Sequence, residues 1–220
     1  KMTKLKKYKM FTNGEWTDSE SKKTFQTLNP ENNEPWAEVP EASEKDVDKA
    51  VKAAQKAFEG TWSKLFPKER AIYLKAIAEQ LRENAEHLGK IETIDTGKLF
   101  KETKTQANYI AEYYDYYAGL ADKVEGTVLP IDKANMQVIT TRVPIGVVAA
   151  IIPWNSQMLL TAVKLAPALA MGNTVVIKSS ELAPATLFEL GKLIEKTKIP
   201  KGVVNIVSGF GEPCGKALTS

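Results

Sequence analysis

The sequence predicts an α/β fold built on a doubly wound parallel sheet. Three short apolar runs, 146–152, 174–177 and 203–207, are each followed by a segment with helical character. Parallel strands need crossover connections and are buried on both faces, so this alternation of strand and helix is typical of a parallel sheet. Ligands of open parallel sheets bind outside the carboxyl ends of the strands. We therefore expect the functional residues in the turns that follow the three runs.

The composition excludes several classes of protein. The chain has 220 residues, of which 43% are hydrophobic, and this is enough to bury a substantial core. The net charge is +3, and five lysines fall within residues 1–9. This run favours a solvated terminus over a nucleic-acid-binding arm, because no interleaved aromatic and basic residues follow it. We expect no nucleic-acid partner.

Cysteine and apolar content bear on the compartment. The single cysteine excludes an internal disulfide, and with a single histidine the usual Cys/His zinc sites are excluded too. No apolar run approaches the roughly 18 residues of a membrane span, and the N-terminus lacks the apolar region of a signal peptide. We expect a cytoplasmic protein with no membrane association and no metal site.

The first forty residues predict a small β region. Asn13-Gly14 lies between strand-like segments at 8–11 and 15–17 and favours a two-residue hairpin, because both turn positions need positive φ. Residues 24–28 predict one more strand. The polar stretch up to Pro40 is expected to be a loop.

Four helices are predicted next. Ser43 and Asp46 resemble a capping box at the start of the first, and Pro67 suits the first turn of the second. The third is expected to end at Gly97. The fourth, over 99–120, carries five tyrosines, which would suit a stacking platform for bases. At this spacing, tyrosines on a helix more often pack against another helix, and we favour that interpretation.

A second hairpin is predicted over 127–143, outside the parallel sheet. Its alternation of apolar and polar residues indicates an antiparallel pair of strands that projects from the domain. A projecting hairpin leaves strand edges with which a partner chain can pair. The predicted organisation is an N-terminal hairpin and helical part (1–126), an oligomerisation hairpin (127–143) and the parallel-sheet part (144–220).

The first of the three turns contains Pro153-Trp154-Asn155, and a helix over 156–171 that carries Lys164 follows it. An asparagine between a strand and a helix is often an N-cap, which is the structural interpretation. Its amide can instead donate a hydrogen bond to an oxyanion that develops on a substrate. Local sequence leaves both interpretations open.

The second turn places two serines between Lys178 and Glu181. The lysine can bind hydroxyl or phosphate oxygens, and the carboxylate can accept both hydroxyls of a ribose. A carboxylate here disfavours a 2′-phosphate and so points to NAD over NADP. The alternative is a salt-bridged surface loop with a helix cap at Ser180 or Glu181.

The third turn, over 209–215, contains three glycines. Its last spacing is one residue longer than in G-x-G-x-x-G, so it is a weak dinucleotide signal by itself. Cys214 lies in this turn, where a helix N-terminus could lower the pKa of a thiol. No base accompanies it, so a catalytic role is not expected. His87, on an ordinary amphipathic helix, is expected at the surface.

Together these segments resemble the aldehyde dehydrogenase family. The matching text is PIGVVAAIIPWN (144–155), KLAPALAMGNTVVIKSSE (164–181) and PKGVVNIVSGFGEPCG (200–215), and the helical region with DTGK at 95–98 is similar to the N-terminal part of the family. The resemblance spans nearly the whole chain. It implies a Rossmann-like cofactor domain, incomplete because three strands are present where the family continues with more.

The resemblance implies a role for each turn. Asn155 is the expected oxyanion donor, and Lys164 is expected in proton relay or support of the active site. The glycine turn is expected to lie against the adenine-pyrophosphate half of NAD, and Lys178 and Glu181 are expected to hold its ribose. The expected cofactor-binding residues are Ile152, Pro153, Trp154, Lys178, Ser180, Glu181, Gly211 and Gly215. One departure is Ser156-Gln157, where many members have Phe-Pro, and it affects the expected substrate pocket.

The resemblance also implies that two catalytic residues of the family are missing from these 220 residues. The cysteine and glutamate of the family lie beyond the last residue in sequence, so the chain alone is expected to be inactive. In the first hypothesis, the chain is the truncated NAD-binding part of an enzyme that oxidises an aldehyde to a carboxylic acid. The identity of the aldehyde stays open. The second hypothesis is a non-catalytic remnant that binds nucleotide or serves as an oligomerisation module. A relative that reduces acyl phosphates or CoA thioesters also stays open. Subunits of the family associate through the segment that matches 127–143.

Overall fold

The computed structural model describes residues 5–220, and residues 1–4 of the lysine-rich terminus lie outside the described residues. The strands are β1 (Lys6–Lys7), β2 (Met10–Thr12), β3 (Glu15–Thr17), β4 (Thr24–Asn29), β5 (Glu34–Pro40), β6 (Val128–Leu129), β7 (Val138–Ile139), β8 (Val147–Ile151), β9 (Thr174–Ser179) and β10 (Val204–Ser208). The helices are α1 (Glu44–Glu59), α2 (Pro67–Glu83), α3 (Ala85–Thr96), α4 (Phe100–Leu120), α5 (Gln157–Ala170), α6 (Ala185–Lys196) and α7 (Lys216–Thr219).

The main sheet has the strand order β3-β2-β10-β9-β8. Strands β8, β9 and β10 are parallel, which confirms the predicted α/β class. The hairpin at Asn13-Gly14 also forms, with φ of 54° and 72° at its two turn residues. It extends the same sheet, because β2 pairs antiparallel to β10 with Phe11 opposite Ile206. The antiparallel hairpin β2-β3 therefore extends the parallel strands at one side of the sheet.

A second sheet has the order β1-β5-β4. The strand expected over 24–28 is confirmed as β4, but the prediction of a loop up to Pro40 is wrong, since residues 34–40 form β5. Ala37 and Val39 in β5 are completely buried. Their alternate spacing points both side chains into the core, and this burial outweighs the polar and proline-containing sequence around them.

Helices cover both faces of the main sheet. On one face, Val176 of β9 and Val207 of β10 pack in a cluster with α1. On the other face, Val175 and Ile177 of β9 join the larger core formed with α2 to α6. Successive side chains of β9 thus enter opposite cores, as expected for a strand of a doubly wound sheet.

The predicted helix boundaries agree with the structure. Ser43 and Asp46 form the capping box of α1, Pro67 is the first residue of α2, and Gly97 ends α3 with φ of 77°. On α4, the packing interpretation holds for Tyr114, which is completely buried, but not for Tyr109 and Tyr116, which are exposed. Among residues 5–220, no helix has the length and apolar character needed to cross a membrane.

The hairpin over 127–143 is shorter than its sequence pattern suggested. Strands β6 and β7 pair antiparallel over two residues each and form a sheet of their own. Most of its apolar side chains are exposed, namely those of Val128, Leu129, Ile131, Met136, Ile139 and Val143.

Candidate functional site

The turns after β8, β9 and β10 lie side by side at the carboxyl ends of the three parallel strands. Ile151 is in register with Lys178, and Ser179 is in register with Ser208. The backbone N–H of the buried Ile152 donates to the carbonyl of Lys178 at 3.0 Å. The strand register therefore brings the three predicted turns together in space.

Asn155 lies in a short 3₁₀ turn, Trp154–Ser156, directly after Pro153. Its side chain is exposed. The N-cap positions of this turn and of α5 are Pro153 and Ser156, and neither makes a side-chain cap bond. The N-cap interpretation of Asn155 is therefore wrong. Asn155 caps neither helix, and its exposed amide can donate to a bound molecule.

All three turns contribute to a shared cavity. Trp154 from the first turn, Glu181 and Leu182 from the second and Phe210 from the third border a space of about 620 Å³, and the rest of its lining comes from residues within 25–33 and from the end of α3. Phe210 also packs against Phe25 of β4, with ring centroids 5.2 Å apart. Sequence reasoning missed Phe210, although it lies between Gly209 and Gly211 in the glycine motif.

Lys178 is nearly buried at the end of β9, with 4% of its surface exposed. Its ammonium lies 3.7 Å from the carboxylate of Glu181, so the ion pair of the structural alternative is present. The helix cap of that alternative is not, because α6 has Pro184 at its N-cap, and the Ser180 hydroxyl accepts from the backbone N–H of Leu182. A buried ammonium needs a compensating charge, and Glu181 supplies it.

The third turn packs against the same lysine. A Cβ on Gly215 would lie 3.7 Å from Cε of Lys178, whereas a Cβ on Gly211 would meet nothing within 4 Å. The space at Gly211 leaves the backbone open to a ligand. Cys214 is completely buried, and burial raises the pKa of its thiol to about 11. A neutral thiol is a poor nucleophile, so these properties do not favour a catalytic role for Cys214.

Lys164 makes a hydrogen bond within its own helix. It lies on α5, and its ammonium donates to the backbone carbonyl of Leu160 at 3.2 Å. Seven residues separate it from the start of the helix, which corresponds to about 10 Å along the axis. This bond uses one of the three N–H donors of the ammonium, so the lysine can still donate to a neighbouring group.

Charged residues at the end of α3 escaped the sequence reasoning. Asp95 is buried and accepts from Thr27 Oγ1 at 2.8 Å and from the backbone N–H of Ala185 at 2.7 Å, and burial raises its pKa to about 6. Glu92 is completely buried, burial raises its pKa to about 7, and Lys98 lies 3.8 Å away. The available signal was two carboxylates three residues apart on the inner face of an amphipathic helix.

The family model described as "Aldehyde dehydrogenase family" matches residues 16–220. The chain belongs to the aldehyde dehydrogenase family. Among its relatives, the (Z)-2-((N-methylformamido)methylene)-5-hydroxybutyrolactone dehydrogenase of Acinetobacter baylyi is 48% identical over 217 residues, which cover 98% of this chain and 44% of that protein. The betaine aldehyde dehydrogenase of Bacillus subtilis is 42% identical, with coverage of 95% and 43%.

Solved aldehyde dehydrogenase structures have the same fold. That of Bacillus cereus aligns with a TM-score of 0.94 at 39% identity, over 97% of this chain and 44% of that one. Betaine aldehyde dehydrogenase of Staphylococcus aureus, solved in complex with NAD+, aligns with a TM-score of 0.92 at 36% identity, over 96% and 43%. The predicted family and Rossmann-like fold are confirmed, and the chain spans less than half the length of the relatives it matches.

Proposed function

We propose that this chain is the N-terminal, NAD-binding part of an enzyme that oxidises an aldehyde to a carboxylic acid. The observation that carries the proposal is the shared cavity, to which Trp154, Glu181 and Phe210 come from three different turns. A cavity at the carboxyl ends of parallel strands is where open α/β sheets bind nucleotides. Membership of the aldehyde dehydrogenase family supports an oxidoreductase that acts on aldehydes.

Asn155 is the proposed oxyanion donor. When a nucleophile adds to an aldehyde, negative charge develops on the carbonyl oxygen, and a preorganised amide N–H stabilises it. Asn155 suits this role because its side chain is exposed at the sheet edge and caps no helix. Lys164 is proposed to support the same site from α5.

Lys178 and Glu181 are proposed to hold the adenosine ribose. The carboxylate can accept from two ribose hydroxyls while the ammonium, 3.7 Å from it, can donate to an oxygen. Gly211 and Gly215 allow the cofactor to approach the backbone, and Ile152, Pro153, Trp154 and Ser180 complete the proposed set. When bound, NAD supplies a hydride acceptor. The charge of Glu181 favours NAD over NADP, and the NAD+ complex of the S. aureus relative supports this choice.

Calorimetry tests the cofactor site. Titration of the chain with NAD is expected to give measurable binding heat, with a weaker response to NADP. Loss of one charged hydrogen bond costs about 1.5–3 kcal/mol, so Lys178→Ala is expected to weaken NAD binding roughly tenfold or more. The matched control is Lys196→Ala, an exposed lysine in the last turn of α6. Equal affinities for wild type and Lys178→Ala would contradict the proposal.

The 220 residues alone are proposed to be inactive, because the only thiol, Cys214, is buried and has a raised pKa. Incubation with NAD and a panel of aldehydes is expected to produce no NADH fluorescence. Turnover that disappears in Cys214→Ser would show this part of the proposal to be wrong.

Self-association through 127–143 is proposed from the apolar side chains that β6 and β7 expose, among them Val128 opposite Ile139. The same surface would suit the alternative role as an oligomerisation module. Sedimentation analysis is expected to show an assembly that Ile139→Lys dissociates. An unchanged sedimentation coefficient would count against this surface.

A further inference from the structure

Lys98 connects the end of α3 to the turn that carries Asn155. Its ammonium donates to the hydroxyl of Ser156, the residue after Asn155. Lys98 itself follows Gly97, whose left-handed conformation ends α3 and lets the chain leave the helix axis. The contact joins residues 58 positions apart in sequence.

This contact is a side-chain restraint on the turn. Among residues 5–220, neither the 3₁₀ turn nor the start of α5 has a side-chain cap bond. Gln157, the next residue, is completely buried, yet its amide oxygen and nitrogen both lack a partner. Besides the packing of the buried Ile152 and Gln157, the turn is held by the backbone bond of Ile152 on one side and by the Lys98 contact on the other.

Glu92 lies beside Lys98 and restrains it electrostatically. The carboxylate is completely buried, and it lies 3.8 Å from the ammonium, whose side chain is 21% exposed. Neither carboxylate oxygen accepts a hydrogen bond within the part of the chain that the structure describes. When it is ionised, a buried carboxylate without hydrogen bonds attracts a nearby cation strongly, because the surrounding medium screens the charges weakly. The attraction limits the conformations open to a flexible lysine.

We propose that Lys98 is a positioning residue that holds Ser156, and through it the side chain of Asn155, in the geometry required of an oxyanion donor. The consequence for catalysis rests on the proposed function of Asn155. An oxyanion donor is effective only when it is already oriented before charge develops. Asn155 is exposed and caps no helix. Where its amide points therefore depends on the position of the turn, which Lys98 contacts through Ser156.

Nuclear magnetic resonance on the ¹⁵N-labelled 220-residue chain tests this. The signals of interest are the side-chain amide of Asn155 and the indole N–H of Trp154, assigned with Asn155→Asp and Trp154→Phe. Lys98→Met is expected to shift and broaden both, while the indole signals of Trp16, Trp36 and Trp62 stay in place. Lys98→Arg, which keeps a donor and the charge, is expected to restore both signals.

Two further variants complete the experiment. Ser156→Ala removes the acceptor without touching the lysine, and it is expected to move the same two signals even if Lys98→Met fails to fold. Lys101→Met is the matched control, since Lys101 is an exposed lysine in the first turn of α4. Unchanged Asn155 and Trp154 signals in folded Lys98→Met or in Ser156→Ala, or equal shifts in Lys101→Met, would overturn the proposal. The readout is independent of turnover, so a negative result here leaves the proposed oxidation standing, and the reverse also holds.

Discussion

Glu189 and Glu92 are both buried glutamates, but the regions around them satisfy the carboxylate differently. Four side chains lie within hydrogen-bond distance of Glu189: Lys6 at 2.6 Å, Tyr8 at 2.8 Å, Lys192 at 3.1 Å and His87 at 3.1 Å. Around Glu92, no group among residues 5–220 donates to either oxygen, and the Lys98 ammonium is 3.8 Å away. The same residue type is thus saturated in one region and unsatisfied in the other.

The pKa values of the two groups move in opposite directions. Burial by itself would raise the pKa of Glu189, but hydrogen bonds led by that of Lys6 outweigh it and lower the pKa to about 2. Burial raises the pKa of Glu92 to about 7, against the lowering effect of Lys98. A saturated carboxylate stabilises the fold, and here it ties β1 to α6. An unsatisfied one costs stability, and this one lies beside the candidate site.

Replacing Glu189 has the largest expected effect. Its lowered pKa means that the stabilisation is present above the ordinary value of 4.5 and is lost as pH falls toward 2. Glu189→Gln is expected to lower the free energy of unfolding by about 2–3 kcal/mol at neutral pH, less than the full shift implies because the lysine partners are partly exposed. Urea unfolding at neutral and acidic pH measures it. The exposed Glu31→Gln is the control, and a loss that persists undiminished in acid would contradict the charge argument.

Replacing Glu92 is expected to act in the opposite direction. A raised pKa means that the folded state holds a proton that the unfolded state releases, so wild-type stability falls as pH rises from 4.5 to about 7. Glu92→Gln removes that cost and is expected to raise the free energy of unfolding by about 1–2 kcal/mol at slightly alkaline pH, with little change near pH 4. Unfolding curves of both proteins across this range decide it. Destabilisation by the variant at alkaline pH would show that Lys98 already compensates the carboxylate.

Tyr8→Phe has the smallest expected effect of the three. It removes the 2.8 Å hydrogen bond to Glu189 and keeps the ring, which stacks on Phe188 with centroids 5.7 Å apart. The expected loss is about 1 kcal/mol, since three other donors remain. Thermal unfolding of Tyr8→Phe and Glu189→Gln compares the losses of stability in the two variants. A loss as large as that of Glu189→Gln would mean that one hydroxyl, and not the whole set of donors, satisfies the carboxylate.

Local patterns were enough for most elements. The three parallel strands, the Asn13-Gly14 hairpin and the capping box of Ser43 depend on residues close in sequence, and the structure contains them. The partner of the hairpin was not predictable, because nothing in 10–17 specifies that β2 pairs with β10. Strand β5 was missed because the burial of Ala37 and Val39 depends on distant neighbours.

In the candidate site too, features set by neighbouring residues were predictable and features set by distant residues were not. The turn motifs identified Lys178 and Glu181, which the structure places 3.7 Å apart. The N-cap alternative for Asn155 failed because cap geometry depends on where α5 begins. The pairing of Lys98 with Ser156 and Glu92 required the packing of α3 against the 3₁₀ turn Trp154–Ser156, which no local pattern contains.

The pairing of β2 with β10 also sets the order in which this chain can fold. The backbone N–H of Asn13 donates to the side chain of Asn205, a residue 192 positions later. During synthesis, the N-terminal hairpin leaves the ribosome long before the strand that covers its edge exists. Contacts between such distant residues form slowly, and an uncovered strand edge is prone to aggregate in the meantime. The outer edge of β2 therefore stays unpaired, or is shielded by a chaperone, until the segment that forms β10 has emerged.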